Sequence, residues 1–335
     1  MQLSQLQCRD LLPSTRGELI SSSGLVVAEF PITDTEGLIV FESSNKLYPA
    51  PYIWPASSAR PRRAIAGEGI SAKLLSAVLP NGLTTDFEFR KYASERNIGA
   101  DQTNESIIID EKIVIKWHLI VEDSLAVIKE RLLLANQFHL SPKLLGNIYW
   151  NGLVLATINE FIEDVQDGWS WCVKSALKND KSWIDSLAQL TIKMHQSLAP
   201  YIHGDFHVGQ ILKKNGANQF WVIDFEGDPL LNVHQRSEQS DKNQDIASMC
   251  ASFFHVGAVA IKNGADNLTT HSWIVDVERQ FLQMLEYNQK EIQEMHKSML
   301  FLQQREMRYA NDFLPQWRYA PEFAITLMEK LGYGD

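Results

Sequence analysis

The order of hydrophobic and polar positions divides the chain into a sheet-rich first half and a helical second half. Leu25–Phe30 and Leu38–Phe41 are β-rich runs, Ile70–Leu79 repeats apolar residues at helical spacing, and Thr84–Phe89 alternates as a strand does. Pro49, Pro51, Pro55 and Pro61 punctuate Tyr48–Arg63, which reads as irregular connection. Residues 1–90 are expected to form a small α+β module.

The signal sharpens at Ser106. Ser106–Ile109 and Ile113–Trp117 flank the turn residues Asp110, Glu111 and Lys112, and their β-branched arms predict a hairpin. A helix is expected next, with Asp123 as N-cap and Leu125, Ile128, Leu132, Leu133 and Phe138 along its apolar stripe. Leu144–Tyr149 and Leu153–Phe161 complete an antiparallel set in a segment covering 91–162. In the remaining segment, 163–335, the pattern is mainly helical: Trp169–Leu177, Trp183–Leu198, Gln244–Lys262, His271–Tyr309 with room for a break, and Glu322–Leu331. Two short loop-and-strand stretches interrupt these helices and concentrate carboxylates.

With 335 residues, 45% hydrophobic and 21% charged, the chain has enough material for two domains or one two-lobed domain, and neither disorder nor coiled coil fits. A net charge of −10 provides no overall positive field for a nucleic-acid backbone. The one basic cluster, Arg60, Arg62 and Arg63, is expected to be a solvated loop. Cys8, Cys172 and Cys250 are odd in number and widely spaced, so they encode neither a disulfide framework nor a cysteine zinc site. Residues 1–14 lack an apolar leader core, and the longest nearly apolar stretch, Met249–Ile261, is shorter than the ~18 residues a span requires. The expectation is a cytoplasmic protein with no nucleic-acid, membrane or protein partner.

The first carboxylate-bearing stretch is His203-Gly204-Asp205-Phe206-His207-Val208-Gly209-Gln210; the second is Trp221-Val222-Ile223-Asp224-Phe225-Glu226-Gly227-Asp228-Pro229. Asp224 follows the apolar run Phe220–Ile223, where a strand would deliver it to the edge of a core, a placement typical of a metal ligand. Phosphoryl transfer needs a carboxylate to accept the acceptor's proton, hard oxygen ligands for Mg²⁺ and a lysine for the donor phosphates. These types occur in order: Lys116 on the second hairpin arm, Glu130 14 residues later, Asp205 five before the amide Gln210, and Asp224 19 after Asp205. In protein kinases the matching spacing is H-R-D-x-x-x-x-N followed by D-F-G.

Taken together, HGDFHVGQIL and WVIDFEGDP resemble the maltokinase and glucosamine kinase group, a part of the aminoglycoside-phosphotransferase-like branch of the protein-kinase-like fold, whose pattern is H-G-D-x-H-x-x-Q and then D-F-E-G-E-P. Gln102-Thr103-Asn104-Glu105-Ser106 is similar to that group's phosphate-covering turn. Gly168-Trp169, Arg236, Asp245-Ile246-Ala247 and Pro315-Gln316-Trp317 follow its order, so the likeness covers roughly residues 60–331. The resemblance implies an α+β, protein-kinase-like, two-lobed fold with an antiparallel-sheet N-lobe, a mainly helical C-lobe and an N-terminal cap. It further implies ATP and Mg²⁺ as cofactors and a small sugar as acceptor. Asp205 would be the catalytic base, Gln210 and Asp224 would bind magnesium, and Glu226 would bind a second metal or a hydroxyl. Lys116, paired with Glu130, would hold the ATP phosphates under Asn104 and Ser106; Glu160, Phe161 and Ile162 would form the adenine hinge. His207, Glu226, Asp228 and Trp317 would face the sugar.

Departures from the group's pattern leave the sugar open: Asp228 replaces a usual Glu, Gln244 and Ala251 stand where maltokinases tend to carry Arg, and Ala310 stands where a Glu often sits. Asp205, Glu226 and Asp228 together suit a cationic acceptor, because ammonium–carboxylate hydrogen bonds are charge-assisted. Glucosamine is therefore favoured over maltose.

Three rival readings carry less. Gly67-Glu68-Gly69-Ile70-Ser71-Ala72 fits a dinucleotide G-x-G-x-x-A, but no βαβ unit surrounds it. His203, Asp205, His207 and Asp224 alternate as the ligands of a metallohydrolase would, yet this leaves Lys116 and Gln210 unexplained. A kinase-like binding protein without catalysis would lack a base, lysine or ligand, and all are present. His203 and His207 also have a plain reading as supports of the loop backbone, His255 as a core histidine, and Trp317 either as a sugar platform or as core.

Overall fold

Four strands open the sheet-rich part: β1 (Leu25–Thr33), β2 (Glu36–Ser43), β3 (Lys46–Ile53) and β4 (Arg62–Arg63), antiparallel and hydrogen-bonded in that order. They belong to a computed structural model that describes residues 8–11, 24–58, 60–76, 79–88, 90–98, 105–121, 125–228, 231–239 and 241–334. Strand β3 runs straight through Pro49 and Pro51, where proline punctuation predicted an irregular connection. The reason is edge polarity. Pro51 O accepts the Ala64 N–H (2.8 Å) and Pro49 O accepts from Arg63 Nη1 (3.2 Å), so both prolines turn their backbone polar edge away from β2 and their missing N–H costs no bond in that ladder.

Of the basic cluster, Arg60 is exposed as expected of a solvated loop, but Arg62 and Arg63 are not free in solvent. Arg63 is buried and donates to Glu105 (2.6 Å) and to the Leu11 and Pro49 carbonyls, while Arg62 pairs with Glu68 (2.5 Å). Each guanidinium has a carboxylate placed for it by the next elements of the chain. Helix α1 (Ile70–Ser76) follows two glycines in the left-handed region, Gly67 and Gly69. Their N–H groups and that of Ala72 all donate to the Glu95 carboxylate (3.2, 2.8 and 3.0 Å), so a side chain fills the anion role that a dinucleotide would have taken.

Strands β5 (Leu83–Thr85), β6 (Glu95–Asn97), β7 (Glu105–Ile109) and β8 (Ile113–Trp117) come next, then helix α2 (Leu125–Ala135) and strands β9 (Leu144–Trp150) and β10 (Leu153–Glu160). The six strands pair in the order β5-β9-β10-β8-β7-β6. The β7–β8 hairpin is the predicted one, with Asp110 and Glu111 left-handed in its turn. β5 stops short of the predicted Phe89 because Asp86 turns back, its carboxylate accepting from Asn147 N–H (2.6 Å) and Tyr149 OH (2.9 Å). The expected N-cap Asp123 lies outside the described residues.

By compactness the chain divides into Met1–Val127 with Pro142–Glu163, and Ile128–Ser141 with Asp164–Asp335. The segments expected as cap (1–90) and N-lobe (91–162) share the first unit, since β5 pairs with β9. Leu38, Val40, Ile70, Leu74, Ile107 and Trp117 build its core, and the Trp117 indole N–H is satisfied by Ser71 Oγ (3.0 Å).

The second unit carries β11 (Val165–Gln166), α3 (Gly168–Leu177), α4 (Ile184–Leu198), β12 (Ile211–Lys214), β13 (Phe220–Val222), α5 (Val233–Glu238), α6 (Lys242–Lys262), α7 (Asn267–Met284), α8 (Gln289–Phe313) and α9 (Tyr319–Lys330). The break expected within His271–Tyr309 falls before Gln289, where Asn288 caps α8 and Glu291 reaches back to the Asn288 N–H. α6 is long and apolar enough to cross a membrane, but most of it is buried against α3, α7, α8 and α9, as the core helix of a folded unit is. Trp183, Phe253, Trp273 and Phe281 form the aromatic centre of this core.

Candidate active site

Two loops leave the β12–β13 pair of the helical unit and are tied to each other. Ile211 pairs with Val222, and the Ile223 N–H donates to Gln210 O (3.0 Å). Asp224, the next residue, lies at φ +65°, a left-handed conformation that costs a non-glycine residue about 1 kcal/mol and persists where its surroundings over-determine it. His203 adds the second tie. Its Nε2–H donates to Ile223 O (3.0 Å) and its Nδ1 accepts the Asp205 N–H (3.3 Å). Burial holds this imidazole below its ordinary pKa, and with both nitrogens committed it has no lone pair for a metal. That removes the first ligand of the metallohydrolase set. Among the described residues no group of three or more His, Cys, Asp and Glu is arranged to hold a metal ion.

Gln210 and Asp224 offer an amide and a carboxylate, hard oxygen donors of the kind Mg²⁺ takes in small number while water and phosphate complete its shell. The two loops approach glycine to glycine: a Cβ on Gly204, at φ +89°, would stand 3.2 Å from Gly227 Cα and 2.9 Å from Gln239 Oε1. Arg236 secures the second loop through Nη1 to Glu226 O (3.0 Å).

Asp205 is partly exposed, with His207 Nε2 3.7 Å from its Oδ2. Burial is the largest single influence and would raise the Asp205 carboxyl; His207, with His203 and Arg305 adding to it, turns the balance and holds the group below its usual range, so it is ionised at neutral pH and able to accept a proton. His207 Nδ1 accepts the Gly209 N–H (3.0 Å), which confirms part of its expected backbone-supporting role. An aromatic row continues from His207 to Trp169 (centroids 6.3 Å apart) and on to the half-buried Trp317 (5.5 Å), which also meets His255 (5.9 Å). His255 is buried with Nε2 on Gln303 Oε1, as a core histidine is. Asp228 is buried in an ion pair with Arg305 of α8 (2.7 Å), which takes its charge out of the set expected to face an amine.

Four residues with a part in this geometry carry no individual role in the sequence reading. Asp245 of α6 is buried and accepts from His203 N–H, Gly204 N–H and His195 Nε2 (2.8, 2.8 and 2.9 Å), visible beforehand only as part of a motif. Arg305 neutralises Asp228. Beside it, Glu306 is half-buried, and burial raises its carboxyl, opposed by Arg305 and His207 and reinforced by Asp205 and Asp228. Lys129 is 1% exposed, in the buried row Leu125, Lys129, Leu133, whereas Ile128, assigned to the apolar stripe, is 50% exposed. A lysine at i+4 and i−4 from leucines was the available signal.

In the sheet-rich unit, Lys116 on β8 lies between Ser106 on β7 and Thr157 on β10 as cross-strand neighbours, so Lys116 and Ser106 are brought together by register. Asn104 lies outside the described residues. Glu130, in α2, belongs to the helical unit. At the expected hinge, Glu160 N–H donates to Lys143 O and Phe161 N–H to Lys112 O (2.9 Å each), so those donors are already used and the Glu160 carbonyl and Ile162 remain as the backbone groups to consider.

No family model matches the chain. It is similar to the glucosamine kinase of Streptacidiphilus jiangxiensis, 26% identical over 361 aligned positions covering 79% of this chain and 82% of that protein. The glucosamine kinase of Mycolicibacterium smegmatis is likewise 26% identical, covering 80% of this chain and 90% of that protein. Among solved structures, a glucosamine kinase in crystal form B superposes with a TM-score of 0.75 at 21% identity, covering 98% of each chain. A glucosamine kinase in complex with glucosamine, ADP and inorganic phosphate gives 0.69 at 20% identity, again over 98% of each. In sequence and in architecture the likeness is to the glucosamine kinases, and the two-lobed α+β fold of this chain is theirs.

Proposed function

We propose that the protein transfers the γ-phosphoryl group of ATP to a hydroxyl of an amino sugar, glucosamine being the preferred acceptor. The observation that supports this reading is the tied pair of loops: Ile223 N–H donates to Gln210 O, and His203 joins Ile223 O to the N–H of Asp205, whose carboxyl is held in its ionised form. Asp205 accepts the proton of the acceptor hydroxyl as its oxygen bonds to the γ-phosphorus and the bond from that phosphorus to the bridging oxygen breaks to release ADP, so neither a free alkoxide nor a protonated ester oxygen accumulates. Gln210 and Asp224 would hold Mg²⁺, which when bound would offset donor-phosphate charge; Glu226 would serve a second ion or a sugar hydroxyl. Lys116 and Ser106, with Asn104 and Glu130, serve the phosphates, and the Glu160 carbonyl and Ile162 serve the adenine. His207 and Trp317 line the acceptor side, where Trp317 continues the aromatic row from His207.

With Asp228 spent on Arg305, Asp205 and Glu226 are the carboxylates of the two loops that we assign to the acceptor's ammonium. The curated relatives named for glucosamine support the same choice. Residues 1–90 act as a cap in this reading, and buried free Cys172 and Cys250 accord with a cytoplasmic setting where ATP is available. A panel of sugars with ATP and Mg²⁺ tests it: kcat/KM for glucosamine should exceed that for maltose at least about tenfold, or ~1.4 kcal/mol. Equal or reversed ratios reject the amine argument and leave a maltokinase or another small-molecule kinase as the reading. Absence of both Mg²⁺-dependent nucleotide binding and sugar-stimulated turnover rejects the kinase.

A further inference from the structure

Lys129 is the least expected group beneath the catalytic loop. Its Nζ donates to His203 O (2.8 Å), and a Cβ on Gly204 would stand 3.7 Å from the same nitrogen, so the ammonium lies directly against the His203–Gly204 peptide. The charged groups that bear on it come from three places: Asp245 on α6, Arg236 on α5 and Asp224 in the second loop. Burial pushes its pKa down to about 8, the mark of a cation that its site desolvates heavily. A methionine would occupy similar volume without that cost, so packing alone does not explain an amine here.

Asp245 and Lys129 grip the two ends of one residue. The carboxylate takes the N–H of His203 and the ammonium takes its carbonyl; the imidazole between them orients the Asp205 N–H. We infer that Lys129 is a positioning residue for the catalytic base, tethering the His203–Gly204–Asp205 turn from helix α2 through the His203 carbonyl. The inference deepens the kinase reading and rests on it for its effect on rate, whereas the tether itself has an independent readout.

The test is Lys129→Met in the full chain, followed by amide hydrogen exchange and steady-state kinetics. Exchange across residues 202–206 should accelerate at least about fivefold, with other segments unchanged, because the turn opens locally. With glucosamine as acceptor, kcat should fall at least about tenfold while KM for ATP and the affinity for ADP stay within about twofold, as misplacement of a base without loss of nucleotide contacts predicts. Unchanged exchange overturns the tether, and a kcat within twofold of the parent overturns the positioning role. If the parent shows no sugar-dependent turnover, the kinase reading fails and exchange alone decides the tether. Should Lys129→Met not fold, Lys129→Gln is read by the same two measurements.

Discussion

Asp205 owes its chemistry to neighbours that are not themselves reactive. Its N–H is taken by His203, His207 leads the positive groups that hold its carboxyl down against burial, and Asp245 fixes the peptides before it. Asp205→Asn keeps the shape and removes the proton acceptor, so turnover should drop by ~10² or more while ADP affinity stays within a few fold. Near-normal turnover would remove Asp205 from the mechanism. Asp205, Gln210 and Asp224 could be proposed from the sequence because phosphoryl-transfer chemistry constrains both residue types and spacing. Lys129 could not: a single charged residue in an apolar stripe reads as solvated until the helix face it occupies is known, and here one residue's rotation separates buried Lys129 from exposed Ile128. Asp228 was misread in charge rather than in place, since Arg305 lies 77 positions away and no local pattern links them.

At the scale of elements, β3 and β4 show how a breaker signal is overridden. Proline excludes a strand only where its N–H would be needed, and whether position 49 or 51 faces β2 or the opposite edge depends on register. Arg63 then fastens β4 to the first residue of β7 through Glu105 and draws in the Leu11 and Pro49 carbonyls. Arg63→Met should leave Glu105 without this cation and cost about 3 kcal/mol in urea unfolding, the size expected when one partner of a buried pair is removed. Replacing both, as in Arg63→Met with Glu105→Leu, should recover part of the loss. An unchanged midpoint in the single variant would show the pair to be incidental. The hairpin and the helices α3, α4 and α6 were read to within about two residues of their ends, because turn residues and apolar periodicity act within a few residues of themselves, whereas the break between α7 and α8 at the Asn288 cap was expected without being placed.

For the whole molecule, buried histidines set the acid response. His255, normally near 6.5, is pushed down to about 4 by burial, and His203 is lowered by the same cause. Between these values the unfolded chain binds a proton that the folded chain refuses, so stability rises with pH across this window and is lost as pH falls from 6.5 towards 4. His255 alone contributes about 3 kcal/mol to that slope. Urea midpoints measured from pH 7 to pH 4 should fall, and should fall less in His255→Gln; parallel curves would show that this imidazole titrates normally. What the sequence determined by itself was the class of fold and the order of most of its elements, and it offered the carboxylate and amide spacing on which the proposed phosphoryl transfer rests, since periodicity, turn chemistry and motif spacing are all short-range. Only the tertiary structure decided which charges are spent on one another: Arg63 on Glu105, Glu95 on the glycine turn, Arg305 on Asp228, Lys129 on the His203 carbonyl. The physical reason is that desolvation and pairing depend on what lies across a fold, at separations along the chain over which sequence pattern carries no information.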